Sequence, residues 1–193
     1  MTLYCATGNP GKLREFQMAA GQTDIHLEMA PGLGDIPPCE ETGATFEENA
    51  VLKATYYGRL APGPLFADDS GLEVNALGGA PGVYSARFAG PHSTDQANNQ
   101  LLLERMRGVR DRSARFVCVI ALVVGARLAG TFRGVVEGEI LEEARGANGF
   151  GYDPLFFYPP FGCTLGEAPA DRKLQVSHRG KALRALWQGI GSV

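Results

Sequence analysis

The chemistry-bearing residues of this chain stand in a few short runs. The first is Thr7-Gly8-Asn9-Pro10-Gly11-Lys12, directly after the apolar stretch Thr2-Leu3-Tyr4-Cys5-Ala6. A strand, a glycine turn and a helix start make an anion site: helix N-termini offer backbone N–H groups and the positive end of a dipole, and glycines admit close approach. Lys12 falls in the first helical turn and could reach the same anion. The run is not a Walker A loop, because only two residues separate Gly8 from Gly11 and Leu13 follows the lysine. As a bare pattern it also suits an ordinary strand-to-helix turn carrying a surface lysine.

Carboxylates form the second group. Glu40 and Glu41 lie in a Pro- and Gly-rich stretch, while Asp68 and Asp69 close the apolar run Pro64-Leu65-Phe66-Ala67. In α/β proteins the ends of strands are where sites gather. Acids brought together need a cation or a shared proton, and Mg²⁺ takes a few carboxylates with water and phosphate oxygens. Asp68-Asp69-Ser70-Gly71 is equally good turn chemistry.

A polar pair on a helix sharpens this. Stepping residues 46–57 at about 100° each puts Phe46, Ala50, Leu52, Tyr56 and Tyr57 on an apolar face, with Asn49 and Lys53 at its centre. Buried polar groups need partners, and carboxylates or phosphates facing Lys53 would supply them. Two later runs suit a nucleoside. Phe150-Gly151-Tyr152-Asp153 sets aromatics in a loop, fit for stacking on a flat base. Ser177-His178-Arg179-Gly180 opens a helix with an arginine at the positive dipole end, which a ligand or acidic partner would explain. Lys173 lies five residues before His178.

These runs need elements to hold them. Residues 2–7 read as a strand, and Asn9 with Pro10 as the cap and first position of a helix reaching about Ala20 and ended by Gly21. A strand near 25–29 and a loop over 31–44 follow. Thr45-Phe46-Glu47-Glu48 is a capping box for a helix to about Leu60. A short strand at 64–67 ends at Asp68, and a Gly-rich loop spans 78–82. Thr94 caps a helix carrying Leu101, Leu102, Leu103 and Met106. Residues 114–124 and 127–137 form a hairpin joined near Gly125-Ala126. A long loop covers 146–162, and a last helix from near Ser177 carries Leu183, Leu186, Trp187 and Ile190. Interleaved helices and strands make the class α/β with a mixed sheet, in one domain over 1–193.

Composition narrows the function. The chain has 193 residues, 45% apolar and 20% charged, so it buries a full core. A net charge of −3 speaks against wrapping nucleic acid. Cys5, Cys39, Cys118 and Cys163 form no CxxC pair, which favours neither zinc nor a disulfide framework. Neither a secretory signal pattern nor a membrane-spanning run is visible, and the expectation is a cytoplasmic protein that contacts neither membrane nor nucleic acid.

Taken in order, "TGNPGK", "EETGATFEENAVLKA", "FADDSGLEVNALGGAPGVYSARFAG", "GFGYDPLFF" and "SHRGKAL" resemble the inosine/xanthosine triphosphate pyrophosphatases across nearly the whole chain. The resemblance implies an elongated mixed β-sheet flanked by helices, two lobes with the active-site cleft between them, a homodimer and a need for Mg²⁺. It implies hydrolysis of ITP, dITP and XTP between the α- and β-phosphates, which cleanses the nucleotide pool. By the same resemblance Thr7, Gly8, Asn9, Pro10, Gly11, Lys12 and Ser70 contact substrate, and Glu40 and Asp69 bind the metal. Asp69 also matches the proton acceptor that activates water, Asp68 lies beside it, and Lys53 faces the phosphates. Phe150, Gly151, Tyr152 and Asp153 match the base loop, and Lys173, His178 and Arg179 complete the pocket. Residues 164–171 depart from the family pattern, which is more helical and acidic there. The competing readings are a nucleotide-binding regulator without turnover, a hydrolase releasing terminal phosphate, and a nucleic-acid-binding module.

Overall fold

The computed structural model describes residues 1–125 and 127–190. Among the described residues seven strands occur: β1 (Thr2–Cys5), β2 (His26–Met29), β3 (Leu65–Val74), β4 (Ser113–Val124), β5 (Arg127–Ile140), β6 (Phe156–Tyr158) and β7 (Cys163–Thr164). Five helices intersperse them: α1 (Pro10–Ala20), α2 (Phe46–Tyr57), α3 (Asp95–Arg105), α4 (Ala170–Val176) and α5 (His178–Ile190). The strand order is β2-β1-β3-β4-β5-β6-β7. β1 runs parallel to β2 and β3, whereas β6 runs antiparallel to β5 and β7, so the sheet is mixed and the class is α/β. The expected hairpin is present as the sheet neighbours β4 and β5. Of its joint, Gly125 is left-handed at φ 55°, and Ala126 lies outside the described residues.

Two compact units divide the chain. The first comprises Met1–Asp69, Cys118–Gly134 and His178–Val193. Its core sets Phe16 edge-on to Phe66 at 5.1 Å between ring centres, with Leu3, Leu65, Ile120, Leu183 and Leu186 fully buried around them. The second unit comprises Ser70–Val117 and Val135–Ser177. Its core gathers Leu72, Leu102, Met106, Phe116, Ile140, Tyr152, Leu155, Phe156 and Leu165. Each such side chain contributes about 1.5–3 kcal/mol when fully buried. Among the described residues no helix is long and apolar enough to cross a membrane.

Local sequence explains the helix starts. Asn9 caps α1, its Oδ1 accepting from Gly11 N at 2.9 Å and Lys12 N at 3.0 Å, while Pro10 takes the first helical position. The capping box of α2 is complete: Thr45 Oγ1 accepts from Glu48 N, and Glu48 Oε2 accepts from Thr45 N and Ala44 N.

Four expectations need correction. The strand expected to stop at Asp68 continues to Val74, so Asp68, Asp69, Ser70 and Gly71 sit within β3 and not in a turn. Turn chemistry gave the wrong boundary because the stretch is packed on both sides, and Gly71 lies so close to Ser85 and Gly82 that a Cβ would fall 2.3 Å from Ser85 Oγ. On α2, Phe46, Ala50 and Tyr57 are buried as expected, but Leu52 and Tyr56 are exposed; the inward face is completed by Asn49, Lys53 and Ala54. The loop over 146–162 contains β6, and α4 precedes the last helix where none was read. Both are too short, at 3 and 7 residues, to show a hydrophobic period.

Candidate active site

Strand β3 brings two neighbouring acids into the first unit, and each meets a lysine from a different helix. Lys12, in the first turn of α1, places Nζ 2.8 Å from Asp68 Oδ2. Lys53, on α2, places Nζ 3.1 Å from Asp69 Oδ1 and 2.9 Å from Glu41 Oε2. Asn49, one turn earlier on α2 and fully buried, donates from Nδ2 to the other oxygen of Asp69 at 3.2 Å. Both oxygens of Asp69 are thus held, and the carboxylate plane is fixed.

The loop carrying Glu40 and Glu41 is held by the same helix. Asn49 Oδ1 accepts from Gly43 N at 2.8 Å, Tyr57 Oη accepts from Cys39 N at 2.9 Å, and Tyr56 Oη donates to Pro37 O at 3.1 Å. The polar atoms of α2 therefore tether a Pro- and Gly-rich segment that has no regular structure of its own. Glu41 is the carboxylate this arrangement brings to Lys53; Glu40 is exposed.

The electrostatic settings of the two aspartates differ in sign. Burial pushes Asp68 up, but Lys12, Arg179 and Lys53 outweigh it and hold the carboxyl below its ordinary value. Burial also pushes Asp69 up, and there the negative charges of Glu41 and Asp68 help it prevail over Lys53 and Lys12, leaving the carboxyl raised. Burial lowers Lys53, yet Asp69, Asp68 and Glu41 more than offset it, so the ammonium is kept charged. A depressed acid beside a raised one is the pattern that separates a fixed anion from a proton acceptor.

The remaining expected residues fall as follows. Thr7 is buried and its Oγ1 accepts from Asn9 N at 3.2 Å. The N–H groups of Gly11 and Lys12 are occupied by the Asn9 cap, so Lys12 Nζ rather than those amides is the cation the turn presents. Gly8 is exposed, and Ser70 is half-buried in β3. His178 and Arg179 open α5 and are 3% and 2% exposed. The acidic partner expected for that arginine is Glu15 of α1. Cys118 donates its thiol toward Asp68 Oδ2 at 3.9 Å, and burial raises it far beyond reactivity. All four cysteines are free.

In the second unit, Phe150-Gly151-Tyr152-Asp153 forms a locked loop. Asp153 Oδ2 accepts from Phe150 N at 2.9 Å and from Lys173 Nζ at 2.5 Å, and that ammonium lies 5.1 Å from the Phe150 ring centre. Gly149 precedes the loop at φ 75°, where a Cβ would also strike the Asp153 carboxylate. Tyr152 Oη donates to Ser85 O at 2.7 Å. Sequence reasoning missed Asn49 as a partner of Asp69, and Glu15 as the partner of Arg179. Only Asn49 announced itself, by its place on an otherwise apolar face.

The model of the Ham1 family matches residues 3–189. A dITP/XTP pyrophosphatase of Acidobacterium capsulatum is 51% identical, covering 96% of this chain and 96% of the relative. One of an Exiguobacterium species is 50% identical, covering 96% and 95%. A HAM1 protein of Coxiella burnetii superposes with a TM-score of 0.89 at 40% identity over 100% of both chains.

Proposed function

Because the chain belongs to the Ham1 family, we infer that it hydrolyses the deaminated purine nucleoside triphosphates ITP, dITP and XTP, giving the nucleoside monophosphate and pyrophosphate and so cleansing the nucleotide pool. The observation that carries this reading is the pair Asp68–Lys12 and Asp69–Lys53 on adjacent residues of one strand, in a chain whose relatives are dITP/XTP pyrophosphatases.

The reading includes Mg²⁺. Four carboxylates, Glu15, Glu41, Asp68 and Asp69, are paired with three cations, Lys12, Lys53 and Arg179. With four charges against three, a polyphosphate would meet cations already engaged and a set that is net negative. A divalent cation resolves this, and the donors suit it: Mg²⁺ takes one or two carboxylate oxygens and completes its shell with phosphate and water. Among the described residues no group of three or more His, Cys, Asp or Glu is arranged to hold a metal. Asp69 and Glu40 would hold the ion, with Glu41 alongside. When bound, it would neutralise phosphate charge and polarise the α-phosphoryl group.

The protein's own part is positioning and proton handling. Thr7 to Lys12 and Ser70 would hold the phosphates, Lys12 and Lys53 lying against their charge. Asp69, its carboxyl raised by burial and neighbouring anions, would take the proton of the attacking water, while Asp68, held low, would stay ionised and keep Lys12 in place. Phe150 would stack on the base, with Gly151, Tyr152 and Asp153 shaping the loop and Lys173 holding Asp153. His178 or Arg179 would donate a hydrogen bond to the 6-oxo group of hypoxanthine or xanthine. Adenine's 6-amino group would leave that donor unpaired, which costs about 1–3 kcal/mol. Guanine shares the 6-oxo group, so its rejection must act near the 2-amino group.

The same reading makes the protein a cytoplasmic homodimer; light scattering in solution tests the assembly. Product analysis tests the activity. With ITP and Mg²⁺ the expected products are IMP and pyrophosphate, with ATP and GTP turned over far more slowly and chelation abolishing the reaction. IDP with orthophosphate, or equal turnover of ATP, would overturn the assignment.

A further inference from the structure

Helix α3 carries no residue of the site described above, yet two of its side chains grip the Phe150–Asp153 loop. Asp95 Oδ2 accepts from Gly151 N at 2.7 Å, and Asn99 Nδ2 donates to Gly151 O at 3.0 Å. The spacing is i and i+4, which puts both on one helix face. Gly151 sits in the left-handed region at φ 61°, and both of its own peptide groups are thereby fixed from a single rigid element.

The rest of α3 is built as an anchor. Thr94 caps it through Ala97 N at 3.1 Å. Asn98, about 100° round the helix from Asn99, is buried; its Oδ1 accepts from Ala89 N and Ser93 Oγ, both at 2.8 Å, and its Nδ2 donates to Ala86 O. Leu102, about one turn on from Asn99, and Met106, at the helix's C-cap, are buried in the core of this unit. Asn99 pays for its grip, since its Oδ1 is buried and has no hydrogen-bond partner among the described residues. An apolar side chain would avoid that cost at this position, so the contact to Gly151 is what the amide supplies.

We propose that Asp95 and Asn99 are positioning residues that set base discrimination by holding Gly151, and through it the Phe150 ring, in the geometry that reads the purine. The proposal rests on the reading of the Phe150–Asp153 loop as the base site. Neither residue touches substrate; both act through the loop's backbone. Asp95 also favours the N-terminus of α3, so stability and discrimination must be read separately.

The test compares D95A, D95N, N99A and F150A by steady-state kinetics with ITP and GTP, alongside thermal unfolding. Loss of one such bond is expected to raise KM for ITP roughly 3- to 10-fold in N99A and roughly 10-fold or more in D95A, with kcat within about twofold. The preference for ITP over GTP should fall by the same factor. D95N keeps an oxygen that accepts from Gly151 N, and should retain the wild-type preference even where its melting temperature drops. If D95A and N99A lower the melting temperature but leave the preference intact while F150A erodes it, the contacts are structural and the proposal fails alone. If F150A leaves the preference unchanged too, the base-site reading fails and the proposal with it.

Discussion

Asn49 holds the carboxylate assigned to water activation, and replacing it by alanine removes two bonds together. One is the acceptor for Gly43 N at 2.8 Å, and the other is the donor to Asp69 Oδ2 at 3.2 Å. A neutral hydrogen bond contributes about 0.5–1.5 kcal/mol and one to a charged group about 1.5–3, so N49A should lose roughly 2–4.5 kcal/mol. At about 2–4 °C per kcal/mol for a chain of this size, the melting temperature should fall by roughly 4–18 °C. Asp69 keeps Lys53 on its other oxygen, so it should remain in place but turn more freely. If the whole charged bond is felt in the barrier, kcat falls by at most roughly 10- to 150-fold, with KM for ITP little changed. N49D separates packing from charge. It is the same size and still accepts from Gly43, but sets a second carboxylate against Asp69 and should lose more activity than N49A at neutral pH. Calorimetry and initial rates decide this. An N49A enzyme within about 1 °C of wild type, or an N49D enzyme with full turnover, would refute the reasoning.

Other consequences follow from the same contacts. A Cβ at Gly43 would lie 2.6 Å from Glu48 Cβ and 2.7 Å from Asn49 Oδ1; G43A should displace the loop bearing Glu40 and Glu41 and weaken the proposed activation by Mg²⁺, read as a raised half-saturating concentration. Asp68 is held below its ordinary value, so it adds stability above about pH 4 that is lost as the pH falls through its folded value. The melting-temperature deficit of D68N should therefore be largest at neutral pH and shrink in acid; a deficit that grew in acid would contradict this. Asp69 is raised and has the opposite sign: its ionisation costs the fold stability as pH rises through the carboxylate range. D69N should thus melt at or above wild type at pH 7 while losing turnover, its advantage fading as the pH drops. K53M leaves Glu41 and Asp69 without their shared cation and should cost about 3 kcal/mol. Adding E41Q should recover part of that, and a strictly additive double-mutant cycle would show the pair is not coupled.

The residue types that bear charge were legible in the sequence because their surroundings broke local rules. Lys53 and Asn49 interrupted an apolar helix face, and both are inward. Asn9 and the Thr45–Glu48 box announced two helix starts through chemistry confined to four residues. What was hidden depended on distant partners. Nothing local shows that Asp68 and Asp69 lie mid-strand, since β3 is buried on both sides and lacks alternation. Nothing local pairs Arg179 with Glu15, 164 residues away, or aims Asp95 at Gly151, 56 residues on. Leu52 and Tyr56 were misplaced for a related reason. A helical wheel gives the angle between residues but not which arc faces the core, and here Asn49 and Lys53 were turned inward toward carboxylates that the wheel does not contain.

Strand geometry then explains how two adjacent identical side chains take different roles. Successive residues of a strand point to opposite faces, so Asp68 and Asp69 make different direct contacts although both feel the charges of Lys12 and Lys53. Asp68 meets Lys12 of α1 and the field of Arg179 on α5, and the thiol of Cys118 on β4 points to the same oxygen. Asp69 meets Asn49 and Lys53 of α2, with Glu41 drawn in by the tethered loop. The first environment is rich in cations and keeps its carboxylate ionised. The second couples one lysine to two carboxylates and leaves Asp69 the more basic. A single substitution could not exchange these environments, because the hydrogen-bonding and ion-pair partners come from different helices. Moving the acid by one position would move it to the other set. The doubled aspartate is thus two environments one residue apart, one anchoring the lysine of the first turn and one gripped by the second helix, which is the one proposed to act as the base.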